Sequence, residues 1–172
     1  MRPDVPILGI DPSGSFKEGK GTTGIAVLNP NGTIAEHITV IAKDYPTQVD
    51  YWAGVLDQID VYLIRYPNLV LSVEDYVLYA TSAKAQINSE METSKLIGAI
   101  TMHAYRMGIR MYIRSASQVV NRWNNDILLY KEIIYKKGNR YVDSLGIPIN
   151  QHCLDAVRHA IHCQYFELKK GR

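Results

Sequence analysis

The sequence predicts an α/β fold: a mixed five-stranded sheet, three antiparallel strands followed by two parallel ones, with helices on its faces. Three observations carry this. Up to Ile41 the chain alternates short β-branched apolar runs with turn residues and shows no helical period. It then switches twice between helical apolar spacing and short continuous apolar runs. The last stretch, from His152, has a polar stripe opposite an apolar one.

Pro6 to Ile10 and Thr23 to Leu28 read as strands separated by a Gly/Ser-rich loop, Pro12 to Gly21. Asn29-Pro30-Asn31-Gly32 is a strong turn before a third strand, Thr33 to Ile41, which completes an antiparallel meander. From Tyr51 to Tyr66, Trp52, Val55, Leu56, Ile59, Leu63 and Ile64 recur at helical spacing until Pro67 stops the pattern. Leu69 to Val73 reads as a buried strand, Ser82 to Met107 as a helix ended by Gly108, and Ile109 to Ile113 as another strand. Ser115-Ala116-Ser117-Gln118 is a helix start leading into Val119 to Trp123. Beyond it we expect a helix around Leu128 to Tyr135, a basic loop through Lys136, Lys137 and Arg140, and a final helix from His152 to Lys169. With 172 residues and no linker or repeat, the chain forms a single domain, 1–172.

At 47% hydrophobic the chain buries one good core, yet no run of about 18 apolar residues spans a membrane. The N-terminus lacks the apolar core of a signal peptide, and a cytoplasmic protein is expected. Cys153 and Cys163 lie ten residues apart in one helix, roughly 15 Å, too far for a disulfide, so both are expected as thiols. The net charge of +2 hides an asymmetry: residues 1–80 carry five Lys/Arg against ten Asp/Glu, residues 81–172 fourteen against seven. An acidic half joined to a basic half suits a protein that grips a polyanion while acting on it.

Two acids, Asp11 and Glu74, stand where buried strands emerge, and ligand-binding groups of open α/β sheets gather at such carboxyl ends. At 100° per residue, His152, Asp155, His159, His162 and Cys163 share a helical stripe about 100° wide, with Leu154, Val157, Ile161 and Leu168 on the other side. If that polar stripe faces the strand ends, three carboxylates converge, and their mutual repulsion calls for divalent cations. The His/Cys cluster itself predicts no structural zinc, because one rigid helix cannot wrap a tetrahedron. Gly14 to Gly21 nearly fits a phosphate-binding loop, but lacks the Ser/Thr at its end and leads into a strand, so a flexible hairpin loop carrying Lys17 and Lys20 is expected.

Gly9-Ile10-Asp11-Pro12-Ser13-Gly14, then Thr23-Gly24-Ile25-Ala26, Val73-Glu74, Ser115-Ala116-Ser117-Gln118 and His152-x-x-Asp155-Ala156 together resemble the RuvC type of Holliday junction resolvase, of the ribonuclease H-like superfamily. Asp155-Ala156-Val157-Arg158-His159-Ala160 is similar to the last motif of phage-encoded members. The resemblance implies a structure-selective endodeoxyribonuclease that resolves four-way junctions, and other branched DNA, by two-metal-ion phosphodiester hydrolysis leaving a 5′-phosphate. It implies Mg²⁺, with Mn²⁺ as a substitute, held by Asp11, Glu74 and Asp155, and His152 at a fourth active-site position as metal ligand, proton relay or water-orienting group. It also implies a homodimer, since two symmetrical nicks resolve a junction. Lys17, Lys20, Lys84, Arg122, Lys131, Lys136, Lys137, Arg140 and Arg158 are the expected backbone contacts, and Tyr76 or Tyr79 the base-stacking aromatic. Two rival readings remain: a nucleotide-binding domain of the actin-like or sugar-kinase type, from Gly9-Ile10-Asp11 with Gly21-Thr22-Thr23-Gly24, and a junction-binding protein without catalysis.

Overall fold

The structure, a computed structural model, describes residues 5–77 and 91–168. Five strands, β1 (Ile7–Asp11), β2 (Thr22–Leu28), β3 (Ile34–Ile41), β4 (Val70–Asp75) and β5 (Met111–Ser115), form one sheet in the order β3-β2-β1-β4-β5. The first three pair antiparallel, and β4 and β5 add in parallel, as the sequence predicts.

The central strand explains the layering. Ile7, Leu8 and Ile10 are fully buried, and because strand side chains alternate, Ile7 enters one core while Leu8 and Ile10 enter the other. The second core is closed by α1 (Gln48–Arg65) and α2 (Glu92–Arg106), through Tyr51, Val55, Ile59, Leu96 and Ile100. The first is closed by α5 (Gln151–His162), backed by α3 (Ala116–Val120) and α4 (Asn125–Tyr130).

Several boundaries differ from expectation for local reasons. Helix α1 starts three residues before Tyr51 because the Thr47 hydroxyl accepts from the Asp50 N–H at 3.2 Å, a cap outside the apolar period. Helix α2 is described from Glu92; the expected start at Ser82, with Tyr79 and Lys84, lies outside the described residues.

The expected helix from Leu128 to Tyr135 and basic loop are corrected. Asn124 caps α4, accepting from the Ile127 N–H at 3.0 Å, and the helix ends at Tyr130, with Glu132 at φ 55°. A hairpin follows, β6 (Tyr135–Lys137) and β7 (Arg140–Val142), joined by the two-residue turn Gly138-Asn139 with Gly138 at φ 61°. The last helix is shorter than expected as well: Cys163–Glu167 form a π-helical turn.

Cys153 and Cys163 are buried free thiols, and burial pushes them up to about 11 and about 12. Among the described residues no helix is long and apolar enough to cross a membrane.

Candidate active site

The site begins with two glycines. A Cβ on Gly9 of β1 would stand 1.9 Å from the Ala156 carbonyl oxygen, and one on Gly24 of β2 would stand 2.3 Å from the His152 carbonyl. Nothing but hydrogen fits there, so α5 lies directly on the backbone of the two central strands. The small residues Cys153, Ala156, Ala160 and Cys163 line its sheet side, while Leu154, Val157 and Ile161 pack outward into the core with Trp123, Leu128 and Ile134. The polar stripe thereby turns toward the ends of β1 and β4.

There the structure brings together Asp11, Glu74, His152 and Asp155, with His159 added. His152 Nδ1 stands 2.8 Å from Asp11 Oδ2, and His159 Nε2 stands 3.1 Å from Glu74 Oε2. Asp155 accepts from Gln151 Nε2 at 2.9 Å and from the Arg158 guanidinium. His159 is 1% exposed at its side chain and is locked further by the Ser72 hydroxyl, which donates to its carbonyl at 2.8 Å. It belongs to the site although the sequence reading assigned it no role; its place on the His152 stripe was the available signal.

The electrostatics show that the acids sense one another. Burial pushes the Asp11 carboxyl above its usual range; the hydrogen bond from His152 opposes this, and the charges of Glu74 and Asp155 add to it. The hydrogen bond to Asp11 holds His152 above the ordinary histidine range, against partial desolvation. Among the described residues no three His, Cys, Asp or Glu side chains form a ready-made metal-ligating group, because each carboxylate is turned to its own partner. The donor set nevertheless fits a hard divalent cation: three carboxylates with rotatable oxygens lie within electrostatic reach of one another, and their charges add to the burial that raises Asp11.

The start of the loop after Asp11 is held by side chains of α1 and α2. Tyr51 Oη donates to Ser13 O at 2.7 Å, Trp52 Nε1 to Gly14 O at 3.0 Å, and the Gly14 N–H to Thr93 Oγ1 at 3.1 Å. Both lysines of this segment, Lys17 and Lys20, are exposed. Tyr76 packs partly buried against the core.

Of the other expected phosphate contacts, Arg122, Lys131, Lys136, Lys137 and Arg140 are exposed. Arg158 is corrected: it is 5% exposed, and besides Asp155 its guanidinium donates to Trp123 O at 3.1 Å and Asn125 Oδ1 at 2.5 Å. The segment between α3 and α4 closes over it, so it clamps Asp155 instead of facing a ligand.

No protein-family model matches the chain, and no curated protein matches it. Solved structures do. The structure of T. thermophilus RuvC in complex with Holliday junction substrate aligns with a TM-score of 0.66 at 19% identity, covering 95% of this chain and 96% of that one. A second Thermus thermophilus RuvC structure aligns with a TM-score of 0.61 at 18% identity over the same shares. Strand order, helix layers and these alignments agree that the chain has the ribonuclease H-like fold of RuvC over 95% of its length.

Proposed function

We propose that the chain is a metal-dependent endodeoxyribonuclease that resolves four-way DNA junctions. The observation that carries the reading is the convergence of Asp11, Glu74 and Asp155 at the carboxyl ends of β1 and β4, in a fold shared with a protein whose structure holds a Holliday junction. Asp11, Glu74 and Asp155 would hold Mg²⁺ or Mn²⁺, with His152 beside them. Such ions would supply Lewis acidity for in-line attack of water on phosphorus and compensate charge on the departing 3′-oxygen, leaving a 5′-phosphate.

The chain's own residues set the stage for this. His152, with Nδ1 2.8 Å from Asp11 Oδ2, orients the Asp11 carboxylate. His159, immobile in the core, fixes the Glu74 carboxylate, and Arg158 with Gln151 fixes Asp155. Lys136, Lys137 and Arg140 on the hairpin position the phosphate backbone without reading bases. A homodimer presents two such sites to the two-fold junction. Exposed Val61 and Ile64 on α1 and Met102, Tyr105 and Met107 at α2 offer apolar surface for it.

The test is cleavage of a synthetic four-way junction with Mg²⁺ or Mn²⁺. Wild type nicks it symmetrically, and Asp11→Asn loses activity on the order of 100-fold or more. A wild-type protein that cuts no branched, flapped or duplex DNA with either metal ends the nuclease reading.

A further inference from the structure

Beside the carboxylates lies a second cleft of about 500 Å³, on the β5 side of the sheet between α3 and the π-helical turn that follows α5. It adjoins the proposed catalytic cleft through two elements. Arg114 on its wall pairs in register with Glu74 on the next strand, about 4.8 Å away at the backbone. His162, also lining it, follows His159 by three residues, about 4.5 Å along α5.

The lining is chemically specific. Arg114 is neutralised by Glu167, which accepts from its Nε at 3.0 Å and from its Nη2 at 2.8 Å. The positive charge left to the cleft is that of Arg122, exposed, with its guanidinium 4.8 Å over the Phe166 ring. Gln118 spends its carbonyl oxygen on the Ser115 N–H at 3.2 Å, so it offers its NH₂ as a donor. His162 is 7% exposed, and its Nδ1 is a buried polar atom without a hydrogen-bond partner. Its ring lies 4.9 Å from that of Phe166. One exposed guanidinium stacked on an aromatic ring, with a side-chain amide donor beside it, suits one nucleotide: a charge for its phosphate, and a planar cation and a donor for its base.

We infer that this cleft is a binding subsite for the nucleotide flanking the scissile phosphate, with the Arg122 guanidinium on that nucleotide's phosphodiester. The inference rests on the nuclease reading and deepens it. A strand whose scissile phosphate sits at Asp11 and Glu74 runs its neighbour across β5 into the cleft. Recognition there is of phosphate charge and stacking, so the subsite fixes register on the strand.

The test reads binding, which separates it from cleavage. Single methylphosphonate linkages, which remove one phosphate charge each, are placed in turn around the branch point of a synthetic four-way junction, and affinity is measured by fluorescence anisotropy in EDTA. Wild type loses affinity on the order of tenfold at one or two linkages beside the cleavage position. Arg122→Ala loses a similar factor on unmodified DNA, becomes indifferent to those linkages, and its salt slope falls by about one. Arg122→Lys regains part of the charge sensitivity while melting like wild type.

Three results overturn the subsite. No linkage stands out for wild type; Arg122→Ala keeps the wild-type profile; or thymidine 5′-monophosphate binds in an Arg122-dependent way while every linkage is silent, which makes the cleft a free-nucleotide site. Absence of cleavage with Mg²⁺ or Mn²⁺ counts against the nuclease reading alone, because the binding profile is read without metal.

Discussion

At the scale of the residue, Asp11 and His152 set a pH dependence whose sign follows from their shifts. Asp11 sits above its ordinary value of 3.8 through burial and neighbouring acids, so between that value and its raised one the folded state binds more protons, and stability falls as pH rises through the window. His152 is raised from 6.5, mainly by its bond to Asp11; its contribution is complete below 6.5 and is lost as pH climbs through the folded value. In EDTA, Tm of the wild type should decline above pH 6.5, and His152→Ala should flatten that decline. An identical slope in the variant would show that the pair contributes nothing. Asp11→Asn removes the burdened charge, so the metal-free variant should be more stable by about 0.5–2 kcal/mol, read as the denaturation midpoint. A lower midpoint would count against clustering of the acids.

At the scale of the element, α5 and its seat on β1 and β2 decide whether a site exists. Gly9→Ala would drive a methyl group into the Ala156 carbonyl, and Gly24→Ala one into the His152 carbonyl. Each should cost about 1–3 kcal/mol in urea denaturation and lift the helix, so junction cleavage should fall even where the protein remains folded. A variant of full stability and full activity would mean that the contact is not needed. The hairpin makes an independent prediction. Replacing Lys136, Lys137 and Arg140 by Gln should leave Tm within a degree or two, since all three are exposed, and should reduce the salt slope of junction binding by up to about three.

This element scale is also where legibility divides. The strand-end positions of Asp11 and Glu74 were readable, because the short, mainly apolar runs 7–10 and 70–73 end at them. So was the stripe joining His152 to Asp155, which depends only on helical geometry. The hairpin was not, because its strands have three residues each and four of those six are Lys, Arg or an exposed Tyr, leaving no alternating pattern to detect. Nor was the role of Arg158: an arginine three residues after an acid looks solvated until the Trp123 carbonyl and Asn125 are seen closing over it.

At the scale of the whole molecule, metal, fold and assembly are linked. A cation that binds only the folded state stabilises it by mass action, about 2.7 kcal/mol at a hundred times its Kd, or roughly 5–10 °C in Tm for a domain of this size. Mg²⁺ should raise wild-type Tm in that way and leave Asp11→Asn nearly unmoved. Equal shifts in both would place the ion elsewhere. The acidic first half and basic second half of the sequence meet in the fold. The acids stand at the ends of β1 and β4 beside α5, while Arg122 follows α3, Lys131 follows α4, and Lys136, Lys137 and Arg140 lie on the hairpin.

The sequence by itself determined the order of the five sheet strands, the separate positions of three acids and a histidine, and a spacing that keeps Cys153 and Cys163 from pairing with each other. Those depend on local periodicity and on chain distance, which a linear reading measures. Only the tertiary structure decided that Asp11 lies within electrostatic reach of Glu74 and Asp155, that His159 and Arg158 pair with two of these acids, and that a cleft opens along β5. These depend on how closely α5 approaches the sheet. That distance is set by what is missing at Gly9 and Gly24, and the value of a missing side chain is known only once its neighbour across space is known.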